Sequence, residues 1–281
     1  MVYSASRYNA EVNYGNKYYY MFKQLTGVVL GAVAMVACAI ADYHVLKKLR
    51  YVILAVSFAL LVAVFIPGVG VENYGAKRWI NLPFFTIQAS EIAKFGFIIF
   101  TAAYMAKNYE KMSTFRGLIP VLAVGAAMCV LIIAEPNMSI TMCMILLMFA
   151  MLFVGGASFK HFLVLLVPVA LLVPLLIVLE PYRLKRLTAF LNPWSSPLGE
   201  GYQLIQSFYA LGSGGLFGLG LFNSRQKYLF LPFSESDFIF SVIGEELGLV
   251  GCAAVIAVYL VVIWRAVRIA KNANDRFGCY L

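Results

Sequence analysis

Long apolar runs alternate with short polar connections along most of the chain. A helix that spans a bilayer needs about 20 mainly apolar residues, with roughly 17 to 25 tolerated. The pattern therefore predicts seven membrane-spanning helices and a large loop at 180–237. The third predicted span is the weakest, because Glu91 and Lys94 interrupt its start. We expect an all-α fold, a polytopic helix bundle forming one membrane domain over residues 1–281, with spans at 25–41, 51–71, 87–105, 118–134, 138–159, 162–179 and 238–264.

The composition supports a membrane environment and argues against other classes of protein. Of the 281 residues, 62% are hydrophobic and 12% are charged, whereas a soluble domain has about 25% charged residues. The net charge is +9, but no cluster of five to eight basic residues of the kind that binds nucleic acid is present. Anionic lipid or a pyrophosphate-bearing substrate is therefore the better expected partner, and nucleic acid is not expected.

The distribution of Lys and Arg predicts the orientation of the spans. The connections on one side carry eleven basic residues, mostly in short loops and at the C-terminal end. The other side carries ten, and half of these lie in the long segment 180–237. Because the positive-inside rule gives most weight to short loops, we expect a cytoplasmic C-terminus and an external N-terminus. The segment 180–237 then lies outside the cell.

Two acidic positions at the outer ends of the spans are candidates for function. Ser90 is a good residue to cap a helix, and a helix beginning there places Glu91 and Lys94 on one side. Such a pair at the mouth of a span either serves a functional site or anchors the helix. In the tight turn Ala134–Ser139, Pro136 and Asn137 suit the geometry of a turn. Glu135 has no basic neighbour in that turn and needs water or a more distant partner.

The long outer segment ends in a further set of candidates. Its glycine cluster, residues 212–220, lacks the dinucleotide-binding spacing and is better explained by close backbone packing or bending. Asp237 immediately precedes an apolar run, where it either caps the seventh helix or sits partly desolvated as an acid or base. Glu245 and Glu246 lie two turns deeper, and one of them must face the interior or meet a partner.

Several motifs in one order resemble the SEDS family of FtsW, RodA and SpoVE. The resemblance covers nearly the whole chain and implies a polymerase of bacterial cell-wall synthesis. Family members join the disaccharides of lipid II, a disaccharide-pentapeptide on undecaprenyl pyrophosphate, by β-1,4 linkage outside the cytoplasmic membrane. The matching segments are Met1-Val-Tyr-Ser-Ala-Ser, Gly75-Ala-Lys-Arg-Trp-Ile, Ser90-Glu-Ile-Ala-Lys, Pro193-Trp, Gly201-Tyr-Gln-Leu-Ile-Gln-Ser, Gly212-Ser-Gly-Gly-Leu-Phe-Gly, Leu231-Pro, and Ser236-Asp-Phe-Ile-Phe through Gly244-Glu-Glu-Leu-Gly.

The resemblance also implies roles for particular residues. Asp237 corresponds to the essential acidic residue of the family, and Glu91 and Lys94 correspond to residues that line its central cavity. Inverting glycosyl transfer needs a base for the acceptor hydroxyl, which would be Asp237. A divalent cation could assist, although the sequence shows no ligand cluster. Positive charge for the leaving diphosphate could come from Lys94, which has motif support, and from Lys77, Arg78, Arg183, Arg186 and Lys227.

The sequence departs from the family pattern at three points. The usual Gln-Pro-Asp turn reads Glu135-Pro136-Asn137, so a carboxylate at position 137 is absent or has moved to Glu135. The common Glu-Ala-His-Thr before the essential Asp reads Phe233-Ser-Glu-Ser, which changes the neighbours of the base. Family members typically have ten spans, so we expect a fragment that lacks the first and the last two, and whose activity alone is doubtful.

Three function classes remain open at this stage. The first is a lipid II polymerase that works with a class B penicillin-binding transpeptidase in division, elongation or sporulation. The second is a lipid II transporter or scaffold, in which Asp237 and the Glu91/Lys94 pair bind without catalysing. The third, a small-solute carrier, predicts internal repeats with broken midplane helices, and the sequence shows no repeat.

Overall fold

The computed structural model describes residues 1–73, 76–81, 86–179 and 181–281. Tyr74, Gly75 and Glu180, which belong to the sequence features named above, lie outside the described residues. The described chain is mainly helical, as predicted. Its α-helices are α1 Val2–Tyr14, α2 Tyr19–Ile40, α3 His44–Ala63, α4 Ala89–Lys107, α5 Phe115–Ala134, α6 Met138–Val154, α7 Phe159–Val178, α8 Pro181–Leu191, α9 Tyr202–Gly214, α10 Ile239–Lys271 and α11 Arg276–Tyr280.

Four of the described helices are long and apolar enough to cross a membrane: α2, α4, α5 and α10. Two of the other predicted spans correspond to shorter apolar stretches, Met138–Val154 and Phe159–Leu175. The remaining one, α3, carries Lys47, Lys48 and Arg50 in its first two turns. The total of seven spans therefore stays a prediction.

The chain divides into two compact units. The first unit contains Met1–Ala41 and Leu171–Ala266, and the second contains Asp42–Ala170 and Val267–Leu281. Each unit brings together segments that are distant in the sequence.

The core of the second unit is formed by α3 to α6. Large apolar side chains such as Leu61, Phe97, Met128 and Met144 are fully buried there. Small residues let these helices approach closely. Gly96 of α4 lies directly against Ser57 of α3, and a Cβ at Gly125 of α5 would come within 2.6 Å of the Met148 sulfur of α6. The packing therefore depends on small residues at helix contacts, as is common between membrane helices.

A small antiparallel sheet precedes α4 in the second unit. Its strands are β1 Gly70–Asn73, β2 Ala76–Asn81 and β3 Thr86–Gln88, in the order β1-β2-β3. Val71 pairs with Trp79, and Ile80 pairs with Ile87. The apolar pattern predicted no strand and extended the second span to Val71, whereas α3 ends at Ala63. Strands of three to six residues are too short to leave a clear period in such an apolar sequence.

The C-terminal helix α11 packs within the second unit. The Asp275 carboxylate caps it by accepting a 3.1 Å hydrogen bond from the Gly278 N–H. The same carboxylate accepts a 2.6 Å bond from the Tyr43 hydroxyl and lies 3.6 Å from His44 Nε2. Phe277 is fully buried in the apolar core. The sequence analysis treated this segment only as a basic C-terminal end, whereas its Asp275 and Phe277 contribute to the packing of the second unit.

Candidate active site

A buried charged cluster lies inside the first unit. The Lys227 ammonium forms a 2.9 Å ion pair with the Glu246 carboxylate of α10. The Ser4 hydroxyl of α1 donates a 2.6 Å hydrogen bond to the same carboxylate oxygen. Lys227 also donates to Ser4 Oγ at 3.1 Å and to the Phe222 carbonyl at 2.7 Å. All three residues are at least 95% buried, so each charge is compensated inside the unit.

Glu245, the neighbouring acid, is also buried and holds the preceding loop. Its carboxylate accepts hydrogen bonds from the Ser224 hydroxyl at 2.5 Å and from the Arg225 and Gln226 N–H groups at 2.9 and 3.3 Å. The sequence required an interior position or a partner for one acid of this pair. That prediction is confirmed, and the structure gives both residues buried partners.

The glycine cluster allows the backbone to pack against α10, as predicted. Gly218 has a φ of +79°, and a Cβ there would overlap the Glu246 carbonyl. The N–H groups of Leu219 and Gly220 donate to the carbonyls of Glu245 and Glu246 at 2.9 and 3.0 Å. Gly248 interrupts the helical backbone of α10 with a φ of +65°. These contacts fix the segment that leads to Lys227.

Asp237 lies at the end of a turn-rich segment, two residues before α10 begins at Ile239. Its side chain is exposed within the chain, which gives no support to the alternative in which it is partly desolvated. The described hydrogen bonds include none that its carboxylate accepts, and a capping bond from an N–H of α10 is not among them. An exposed carboxylate at this place remains open to a substrate hydroxyl.

The turn that carries Asp237 is held by α1. Asn9 donates a 2.8 Å hydrogen bond to the Glu235 carboxylate, and the buried Ser234 hydroxyl donates to the Ala5 carbonyl at 3.3 Å. The sequence indicated only a polar, tyrosine-rich N-terminal stretch here. Small residues at Ser4, Ala5, Ser6 and Ala10, which form the buried face of α1, were the available signal for this packing.

Glu91 and Lys94 form the predicted pair in the second unit. Their side chains lie 2.9 Å apart on the first turns of α4, and both are partly exposed. The prediction that Ser90 caps this helix was wrong, because pairing of β3 continues to Gln88 and α4 begins at Ala89. Ser90 is instead fully buried and its hydroxyl has no partner among the described residues.

Arg78 of β2 clamps the outer turn between α5 and α6. Its guanidinium donates to the Glu135 carbonyl at 3.2 Å and to the Pro136 carbonyl. Asn137 caps α6 by accepting a 3.4 Å bond from the Ile140 N–H, which confirms the geometric role predicted for the turn. Lys77, the other basic candidate on β2, is exposed.

Glu135 is an unusual carboxylate because it is 1% exposed and neither of its oxygens has a hydrogen-bond donor among the described residues. Burial raises the pKa of Glu135 from its ordinary value of 4.5 to about 7, and the Arg78 guanidinium opposes part of this rise. The carboxyl group therefore keeps a proton over a pH range in which an exposed Glu is ionised.

We expect the stability of the chain to depend on pH through Glu135. Between pH 4.5 and about 7, the folded chain retains the proton that the unfolded chain loses, so the free energy of unfolding falls as pH rises through this window. The loss is at most about 3 kcal/mol. Glu135→Gln should remove this slope and be more stable than the wild type above pH 7. Denaturant unfolding in detergent from pH 4.5 to 8 measures it.

The matched control for this experiment is Glu110→Gln, which removes an exposed carboxylate of the same unit. An unchanged pH slope in Glu135→Gln would show that the carboxyl group is hydrated in solution.

The other basic candidates lie in the first unit. Arg183 and Arg186 belong to α8, and the Arg186 guanidinium lies 4.6 Å from the centre of the Tyr182 ring. Lys227 belongs to the buried cluster, where Glu246 already compensates its charge. This geometry argues against the prediction that Lys227 binds a diphosphate. The described residues include no group of three or more His, Cys, Asp or Glu side chains that could hold a metal ion.

Comparison with known proteins identifies the family. The family model FtsW/RodA/SpoVE, described as "Cell cycle protein", matches residues 1–281. The chain belongs to the FtsW/RodA/SpoVE family. It is 38% identical to stage V sporulation protein E of Bacillus subtilis (strain 168), with 100% of this chain and 77% of the relative covered. It is 36% identical to a probable peptidoglycan glycosyltransferase FtsW of Geobacter sp. (strain M18), with the same coverage.

The fold agrees with this assignment. A chain solved in a peptidoglycan synthase complex that coordinates polymerization and crosslinking has a TM-score of 0.78 and 25% sequence identity to this chain. The alignment covers 99% of this chain and 78% of the solved one. As a member of the FtsW/RodA/SpoVE family with several apolar helices, the chain is a multi-pass membrane protein.

The outer turn, whose sequence departs from the pattern implied by the family resemblance, is described fully by the structure. The structure shows that the carboxylate of Glu135-Pro136-Asn137 is buried beneath the clamp of Arg78, whereas the amide of Asn137 caps α6. The Glu135 carboxylate is therefore enclosed within the turn, and whether it takes over a role of position 137 stays a prediction. The roles that the family resemblance implies for Asp237, Glu91 and Lys94 stay predictions.

Proposed function

We propose that this chain is a peptidoglycan glycosyltransferase that polymerises lipid II into β-1,4 glycan strands on the outer side of the bacterial cytoplasmic membrane. The observation that carries the proposal is the match to a probable peptidoglycan glycosyltransferase FtsW over the full length of this chain. The similarity to a chain of a peptidoglycan synthase complex supports it. In this proposal the C-terminus is cytoplasmic and the N-terminus external.

The proposed mechanism assigns the base to Asp237. Its exposed carboxylate takes the proton of the acceptor GlcNAc 4-hydroxyl as that oxygen attacks C1 of the donor MurNAc. The bond from C1 to the diphosphate oxygen breaks, and undecaprenyl pyrophosphate leaves. Lys94, which forms a 2.9 Å ion pair with Glu91 in the second unit, is proposed independently as a substrate-binding residue because its positive charge suits a diphosphate. A class B penicillin-binding protein is the proposed partner, which would crosslink the product.

The decisive experiment is polymerisation of lipid II by the purified chain in detergent or vesicles. We expect glycan strands that a muramidase degrades to disaccharide units. A parallel measurement follows the movement of fluorescent lipid II between the two leaflets of a vesicle. Transbilayer movement without any polymer, with or without an added class B penicillin-binding protein, would instead favour a transporter and contradict the proposed function.

A further inference from the structure

An open cavity of about 620 Å³ lies within the outer segment of the first unit. Its walls come from α8, from the turn around Ser195 and Ser196, and from the first residues of α9. Pockets for small ligands typically measure about 300 to 1,000 Å³, so the cavity is large enough for a disaccharide with an attached group. The sequence shows basic residues in this segment but did not predict a cavity.

The cavity is positively charged. Lys185 and Arg186 line it side by side, and the α8 sequence contains a third basic residue and no acidic one. The first turn of α9 also lies in the wall. That turn itself carries no acidic residue, and Glu200, directly before its N-cap Gly201, is the one acidic residue among the described residues of the wall. Together these features favour an anionic ligand.

Neutral polar groups complete the wall. The Thr188 hydroxyl donates to the Lys185 carbonyl at 2.8 Å, and the Ser195 hydroxyl donates to the Asn192 carbonyl at 2.7 Å. Because their hydrogens are engaged, both oxygens are left to accept hydrogen bonds from a ligand. Glu200 and Gln203 line the same cavity and can accept from hydroxyl or amide groups. A ligand that offers only phosphate would leave these acceptors unused and would face the Glu200 carboxylate.

We propose that this cavity binds the sugar-diphosphate headgroup of the lipid-linked substrate. Its phosphates would contact Lys185 and Arg186, and its sugar hydroxyl and N-acetyl groups would contact Thr188, Ser195 and Glu200. The inference rests on the proposed function, since it takes lipid II as the substrate. It assigns these residues to holding the substrate, with no part in the chemistry at Asp237.

The test measures binding and turnover separately on the full chain in detergent. The binding probe is a fluorescent lipid II whose acceptor 4-hydroxyl is blocked, so that it cannot be extended. We expect the double variant Lys185→Gln/Arg186→Gln to raise the Kd of this probe roughly tenfold or more, because charge-assisted hydrogen bonds are lost. The KM for lipid II should rise similarly, with kcat changed by less than about twofold.

The matched control is Arg225→Gln, which removes one exposed positive charge from the same outer segment but does not line the cavity. We expect its Kd to stay within about twofold of the wild type. Phosphatidylglycerol, mixed into the micelles at increasing fractions, tests whether a lipid that offers only a phosphate can displace the lipid II probe. Little displacement of the probe supports recognition of sugar and diphosphate together.

Three results would overturn the proposal: an unchanged Kd in the double variant, an equal effect of Arg225→Gln, or displacement of the probe by phosphatidylglycerol at an equal molar ratio. The outcomes also separate the two proposals. A wild type that binds the blocked probe but makes no glycan contradicts the proposed function alone. A double variant that polymerises and binds like the wild type contradicts substrate binding in the cavity but leaves the proposed function intact.

Discussion

Asp237→Asn is expected to lower the rate of lipid II polymerisation by roughly 10²- to 10⁴-fold, the usual contribution of a positioned general base. Asparagine keeps the size of the side chain but cannot take the proton of the attacking hydroxyl. Because Asp237 is exposed and two residues before α10, the substitution should leave the fold intact. The rate of glycan formation at saturating lipid II measures the effect, and the thermal unfolding midpoint verifies the fold.

A carboxylate elsewhere in the first unit provides the matched control. Glu11 is exposed on α1, and Glu11→Gln should retain wild-type rates. Polymerisation by Asp237→Asn at more than about one tenth of the wild-type rate would exclude Asp237 as the base. Equal loss in both variants would point instead to the charge of the outer surface.

Lys227→Met is expected to cost about 3 to 5 kcal/mol of unfolding free energy, because it leaves the fully buried carboxylate of Glu246 without its counter-ion. The double variant Lys227→Met/Glu246→Gln removes both charges and should recover most of this loss, apart from unsatisfied hydrogen bonds. Unfolding by denaturant in detergent measures both. Lys77→Met, at an exposed lysine, should change stability by less than about 0.5 kcal/mol.

A Lys227→Met variant of unchanged stability would contradict the buried ion pair. If Lys227→Met is as stable as Lys77→Met but binds lipid II more weakly, then the ammonium group is accessible and contacts the substrate. That outcome would restore the prediction that the sequence made for Lys227. A double variant less stable than Lys227→Met would show that Glu246 is required for reasons other than its charge.

The sequence predicted those parts of the site that depend on local geometry. Glu91 and Lys94 lie three residues apart in a helix, so their pairing follows from the helical repeat. The partner of Glu246 could not be predicted, because Lys227 and Ser4 reach it through folding of the loop and of α1. The sequence alone does not predict the hydrogen bond between Ser4 and Glu246, which lie 242 positions apart.

For the fold as well, the sequence predicted the long apolar helices but not the shorter elements. Long apolar runs identified the major helices, since an α-helix is required where a run of that length crosses a bilayer. The sheet, α1 and α11 were missed because they are short or amphipathic and are stabilised by packing against residues far along the chain. Phe277 and Asp275 illustrate this, since the Phe277 ring stacks on Tyr43 and the Asp275 carboxylate accepts a hydrogen bond from the hydroxyl of the same Tyr43, which precedes Asp275 by 232 residues.

The hydrogen bond between Ser4 and Glu246 has a consequence for biosynthesis. Ser4 leaves the ribosome well before Glu246, which is added 242 residues later. At about 5 to 20 residues per second, α1 waits on the order of ten seconds or more for its partner. During that interval its small buried face is unprotected, so α1 is a point at which chaperones or proteases can distinguish finished from unfinished molecules.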